Sequence, residues 1–258
     1  MSDDATRTPP GLDHVWAALR RQGHALTNDR AIGLPDELRQ DFRETYFSDS
    51  VLRHDAGDLP IDRKRARDVI RYQWRDADLD LREHGTITIT DRADIPGKRD
   101  HTRVMLLDNP QATELVRTLL HLVPAENRQS DGTFGVNLFR TFTNVVSKLH
   151  RDDEQFVITY VLDRVGGGAE TYLYERDDVT EDGQAIGDAQ PVLRHQLEPG
   201  EIIIFDDERF RHGATPLEAP VGEATQRDVL VCTVDYGETY LATSARSSAL
   251  GAGPLIRA

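Results

Sequence analysis

Between residues 134 and 236 the chain is cut into short apolar runs by glycine, proline and acidic turns, and this punctuation restricts the fold more than any other feature. The runs cover 135–144, 156–162, 169–174, 190–195, 201–205 and 228–236. Each is too short for a stable helix and is rich in Val, Ile, Phe, Tyr or Thr, so each reads as a strand. Many short strands with Gly and Pro turns indicate two stacked sheets closed as a jelly roll. The expected class is mainly β with flanking helices, on a double-stranded β-helix, cupin-like core.

The first half supplies the helices. Leu12, Val15, Trp16 and Leu19 recur at helical spacing. Pro35, followed by Asp36 and Glu37, opens a second helix with Leu38, Phe42 and Tyr46 on one face. Asn109 caps a third, with Pro110 at its first position and Ala112, Leu115, Val116, Leu119, Leu120 and Val123 on its apolar side. Val69, Ile70, Tyr72 and Trp74 predict a strand, and Ile87 and Ile89 alternating with threonines predict another. Residues 91–101, around Pro96–Gly97, read as a polar loop, and the acidic stretch 175–188 as a long exposed loop and candidate lid.

The organisation expected is a disordered tail at 1–11 and a single domain over 12–258. Within it, 12–130 hold the N-terminal helices and supporting strands, 131–243 the jelly-roll core and 244–258 a C-terminal tail. A length of 258 residues fits one domain with one sizeable core. The net charge of −14 counts against nucleic acid as partner, because phosphate contacts need clustered Lys and Arg. Cys232 is the only cysteine, so no intramolecular disulfide forms, and its apolar neighbours make it a small core residue. With no signal peptide and no apolar run of membrane length, a cytoplasmic protein is expected. The sequence leaves the oligomeric state open.

Just before the run at 156–162 stands His150-Arg151-Asp152. Two residues apart on a strand, His150 and Asp152 share a face and present one imidazole and one carboxylate to a common point. That is two-thirds of the 2-His-1-carboxylate set that holds non-haem Fe(II) with positions left open. The second imidazole is His212, which precedes Gly213 and follows the turn Pro199–Gly200 and the buried run ending at Phe205. Arg227 then heads the last long run, placed to bind a carboxylate through two parallel charge-assisted hydrogen bonds.

The order His150-x-Asp152, Pro199-Gly200 to Phe205, His212-Gly213, Arg227 resembles the Fe(II)/2-oxoglutarate-dependent dioxygenases. The wording around these residues is most similar to the branch typified by L-isoleucine hydroxylase, which acts on free amino acids. The similarity rests on Gly166-Gly-Gly-Ala-Glu-Thr-Tyr, Phe205-Asp-Asp, His212-Gly-Ala-Thr-Pro and Arg227-Asp-Val-Leu-Val, and runs from about residue 130 to 237. The resemblance implies Fe(II) held by His150, Asp152 and His212, 2-oxoglutarate held by Arg227, and O₂ as oxidant. It further implies decarboxylation of 2-oxoglutarate to succinate coupled to C–H hydroxylation. In many members the residue two after the arginine carries a hydroxyl; here it is Val229, leaving Thr171 and Thr215 as candidates.

A small free amino acid needs a cation for its carboxylate and an acceptor for its ammonium. Arg140 is the candidate cation, and Asp153, Glu154 or Asp206 the candidate acceptor. His54, His84, His101, His121 and His195 have no ligand-like spacing and read as structural; Trp16 and Trp74 read as packing residues. Two alternatives stand beside this reading. One keeps the metal and cosubstrate but acts on a peptidyl or carrier-bound residue, or performs desaturation. The other is a cupin-type metal-binding protein, which has no need of Arg227 as a carboxylate clamp.

Overall fold

The computed structural model describes residues 9, 11–54, 63–84, 103–142, 148–219 and 224–235. The first helix, α1 (Asp13–Gln22), buries Val15 and Leu19 and stops at Gly23, whose φ of 74° only glycine adopts readily. A short strand β1 (His24–Asn28) follows, then α2 (Asp36–Tyr46), which begins after Pro35 and buries Leu38, Phe42 and Tyr46. The strands β2 (Arg63–Arg75) and β3 (Asp78–Glu83) form a hairpin. Helix α3 (Pro110–His121) starts at the expected cap, the Asn109 side chain accepting the backbone N–H groups of Gln111 and Ala112.

Nine further strands complete the fold: β4 (Asp131–Thr141), β5 (Phe156–Val165), β6 (Gly167–Gly168), β7 (Glu170–Glu175), β8 (Leu193–Gln196), β9 (Glu201–Asp206), β10 (Phe210–Ala214), β11 (Leu217–Glu218) and β12 (Gln226–Val234). A seven-stranded sheet runs β1-β9-β5-β12-β4-β2-β3, and a three-stranded sheet runs β10-β7-β8, with β11 and β6 forming a small pair. Neighbouring strands within each sheet are antiparallel, as in a jelly roll.

Alternation along the strands sorts the core into two layers. On the outer face of the large sheet Ile158, Tyr160, Ile202, Ile204, Leu230 and Cys232 pack against the helices, together with Phe42, Leu115 and Leu119. On its inner face Val157, Val161, Ile203, Phe205 and Val229 meet Leu173 and Phe210 of the small sheet. This inner layer is the interior of the roll. Among the described residues no helix is long and apolar enough to cross a membrane.

The structure departs from the sequence expectations in a few places. The run at 190–195 pairs only from Leu193 onward. The edge strand β1 was not expected; it pairs with β9 over five residues, a length at which alternation is barely visible. The acidic stretch 175–188 opens with a 3₁₀ turn at Arg176–Asp178 and folds back through a bridge between Val179 and Ala185. The expected strand at Ile87 and Ile89, the loop at 91–101, the tail from 244 and all but residues 9 and 11 of the N-terminal tail lie outside the described residues.

Candidate metal centre

His150 reaches the site by an unexpected route. It is not on a strand: it makes one isolated antiparallel bridge with His212 of β10, and β5 begins only at Phe156. The bridge is reciprocal, His150 N donating to His212 O at 3.0 Å and His212 N donating to His150 O at 2.9 Å. Directly opposed residues in such a pair present their side chains to the same side. The two imidazole centroids stand 4.3 Å apart. Asp152 comes round in the turn that follows, with Oδ1 3.9 Å from His150 Nε2 and Oδ2 3.6 Å from His212 Nε2.

Among the described residues this is the only group of three or more His, Cys, Asp or Glu whose ligand atoms all lie within 4.8 Å of one another. Side-chain exposure is 13% for His212, 23% for Asp152 and 31% for His150, so the cluster is reachable from the His150 side while its floor is buried. His150 Nδ1 lies 2.9 Å from the carbonyl of Lys148. A carbonyl only accepts, so Nδ1 carries the proton and Nε2 keeps a free lone pair toward the cluster. Burial, and then the neighbouring His212, hold His150 below the ordinary imidazole value, which keeps it neutral and able to ligate.

Arg227 lies on the inner face, two residues before Val229, and is 5% exposed. Its cross-strand partners are Thr141 on β4 and Arg164 on β5. Its Nε and Nη2 are buried and have no hydrogen-bond partner among the described residues. Burial, and then the adjacent Arg164 guanidinium, push it down to about 10. Arg164 is fully engaged, donating to the carbonyls of Gly166, Gly168 and Leu197. Arg227 therefore presents two buried donors in fork geometry that no anion among the described residues meets, the arrangement a carboxylate ligand completes.

The remaining candidates divide. Thr171 is 6% exposed and pairs across to Ala214, on the same face as Leu173 and His212, so its hydroxyl belongs to the interior. Thr215 already accepts the Glu170 backbone N–H at 3.0 Å and holds the turn after β10. Arg140 is corrected: it pairs with Asp228, not with the interior. Its Nε and Nη2 each donate to Asp228 at 2.7 Å, and Asp228 follows Arg227 on the strand and so faces the opposite way. Arg43 of α2 joins this pair from outside, and Arg140 lines a surface cleft of about 480 Å³ with Arg39, Arg43 and Asp163.

Asp206 is also corrected. It follows the inward Phe205, and its Oδ1 accepts the N–H groups of Glu208 and Arg209, which fastens the turn into β10. Asp153 is 84% exposed and faces Arg151 at 3.6 Å. Glu154 is partly buried, and its backbone N–H is tied down beside the metal cluster. One residue of the site escaped the sequence reading, namely Asp207, which is fully buried and touches both ligand segments. The signal available was the pair Asp206-Asp207 closing an apolar strand.

A jelly roll with two imidazoles and a carboxylate gathered at one reachable point, and a buried arginine in its interior, is the architecture of the iron-dependent 2-oxoglutarate oxygenases. Residues 49–233 match the family model described as 2OG-Fe dioxygenase, and the chain belongs to that family. Its cofactors are Fe(II), 2-oxoglutarate and O₂. No curated protein matches the chain. Among solved structures, a BsmA homologue from Methylobium petroleophilum PM1 is 21% identical with a TM-score of 0.66, over 92% of this chain and 97% of that one. IDO from Bacillus thuringiensis is 16% identical with a TM-score of 0.62, over 88% and 99%. The Fe(II)/α-ketoglutarate-dependent dioxygenase TqaL is 11% identical with a TM-score of 0.63, over 85% and 84%. At these identities the likeness is one of fold.

Proposed function

We propose that the protein hydroxylates a free L-α-amino acid or a close cyclic relative such as pipecolate, within the branch of the family typified by L-isoleucine hydroxylase. His150, Asp152 and His212 hold the iron through Nε2, a carboxylate oxygen and Nε2. Iron with 2-oxoglutarate and O₂ supplies the oxidant, coupling decarboxylation to succinate with insertion of one oxygen atom into a C–H bond. Arg227 receives the far carboxylate of 2-oxoglutarate in its planar fork and fixes the length of the cosubstrate. Thr171 offers the interior hydroxyl that Val229 cannot. The apolar layer of Val157, Val161, Leu173 and Phe205 keeps water from the interior.

The observation that carries the substrate reading is the inner face of β2. Arg63, Arg65 and Arg67 stand directly across from Thr141, Phe139 and Asn137 of β4. Cross-strand partners share a face, and Phe139 packs on the interior layer, so all three arginines lie on the same face as Arg227. The Arg63 guanidinium sits over the Phe139 ring at 4.6 Å. In a chain of net charge −14 this row is a local concentration of cations suited to a substrate carboxylate, the role that Arg140 cannot take. Glu154 is the acidic group left for the ammonium. With both ends held, the side chain of the substrate extends to the iron and its length selects the carbon attacked.

The test is incubation with Fe(II), ascorbate, 2-oxoglutarate and a panel of free amino acids in competition with their N-acetyl amides. Mass spectrometry reads the gain of one oxygen atom. A pocket built for charged ends rejects a blocked ligand, because its own groups are left unsatisfied. Equal or better turnover of the blocked compounds rejects the free-amino-acid reading in favour of a peptidyl or carrier-bound residue.

A further inference from the structure

Asp207 follows Asp206 at the end of β9 and has no solvent exposure. Its Oδ2 accepts two backbone N–H groups, from Asp152 and from Glu154, both at 3.0 Å. Its backbone carbonyl accepts Arg151 Nε at 2.7 Å. One residue thus fastens the turn that carries Asp152 at three points. The other carboxylate oxygen, Oδ1, lies 3.5 Å from His212 Nδ1. Both of these atoms are buried, and neither has a hydrogen-bond partner among the described residues. Each is the group positioned to satisfy the other.

We propose that Asp207 is a positioning residue that sets two of the three metal ligands at once, holding the Asp152 turn through one oxygen and the His212 tautomer through the other. With the proton kept on Nδ1, His212 turns a free Nε2 lone pair toward Asp152 and the cluster. His150 obtains the same tautomer from the Lys148 carbonyl, so the two imidazoles are matched by different means. The inference rests on the metal reading of His150, Asp152 and His212.

Asp207→Asn separates the two functions. The amide oxygen still accepts from Asp152 and Glu154, and the two N–H groups of the turn fix that orientation. The amide NH₂ then faces His212 Nδ1, which becomes an acceptor and moves the imidazole proton to Nε2, where it blocks the metal. Titration with Co(II) and with Mn(II), followed calorimetrically, is expected to show a loss of about 10- to 100-fold in affinity. Proton NMR of the Co(II) protein reads the tautomer directly. The wild type is expected to show exchangeable, hyperfine-shifted Nδ1–H signals from both His150 and His212, and Asp207→Asn to lose or displace the second.

A variant that binds both ions as the wild type does, with both signals in place, overturns the role of Asp207 and leaves the metal site intact. Failure of the wild type to bind either ion overturns the metal reading and this inference together. The assignment does not depend on the variant folding. ¹⁵N-histidine spectra of the wild type are expected to show His212 protonated at Nδ1, and protonation at Nε2 overturns the proposal.

Discussion

Arg227→Met is expected to make the ligand-free protein more stable while removing its capacity for 2-oxoglutarate. The wild-type guanidinium is 5% exposed, lies beside Arg164 and has two donors without partners among the described residues. Burial pushes it down from the ordinary arginine range to about 10, so keeping it charged costs the folded protein on the order of 3 kcal/mol. Met fills similar length with an apolar chain and abolishes that cost, and replacing buried charge with packed apolar groups is often neutral or stabilising. At about 2–4 °C per kcal/mol for a chain of this size, the ligand-free melting temperature should rise by several degrees. The carboxylate of 2-oxoglutarate then has no partner, a loss of roughly 2–5 kcal/mol or about 30- to several-thousand-fold in Kd. Differential scanning fluorimetry with Mn(II), with and without 2-oxoglutarate, reads both effects. The wild type should gain stability with cosubstrate concentration, and the variant should not. Arg227→Lys should recover only part of the affinity, having charge without the planar fork. A variant that melts well below the wild type without ligand, yet binds 2-oxoglutarate within about threefold of it, would refute the reasoning.

Asp152→Ala should abolish Mn(II) binding and turnover while leaving the fold intact, because it removes a ligand from a cluster that already has solvent access; circular dichroism with metal titration checks it. Arg140→Ala should destabilise the protein by about 3 kcal/mol in urea, since it strips the buried Asp228 of its two shortest bonds, and should leave the KM for substrate and for 2-oxoglutarate unchanged. A rise in either KM would return Arg140 to the site. Cys232 is fully buried and burial pushes its thiol up, so a disulfide-exchange reagent should label it only at the rate of unfolding; fast labelling of the native protein would contradict the placement of β12.

The sequence was informative where a local pattern and the final geometry share a cause. Asn109-Pro110 specifies a helix start by its own chemistry, and α3 begins there. The Pro35-Asp36-Glu37 start behaves likewise. The two histidines and Asp152 are recognisable in the sequence as a set, but strand parity is not what brings them together. They converge through a backbone bridge and a turn held by a carboxylate from another strand. Arg140 and Arg227 show the limit most clearly. Each sits on a strand of the roll, and which face each takes depends on the register Arg227↔Thr141, Asp228↔Arg140. A slip of one residue would exchange their roles, and one sequence contains no record of pairing. Asp207 was hidden for the same reason: its partners are distant in the chain and meet it only after β9 and β10 have folded.

The reciprocal bridge between His150 and His212 has a mechanical meaning beyond ligand geometry. His212 belongs to the small sheet, while His150 and Asp152 lead into β5, an inner strand of the large one. An ion held by all three is therefore a rivet through both walls of the roll. Loading it ties β10 to the start of β5 by coordination as well as by two hydrogen bonds, and withdrawing it leaves only the hydrogen bonds at that seam. Amide exchange at His150, His212 and the turn between them and Asp207 should slow on loading, while β3, the far edge of the large sheet, should exchange as before.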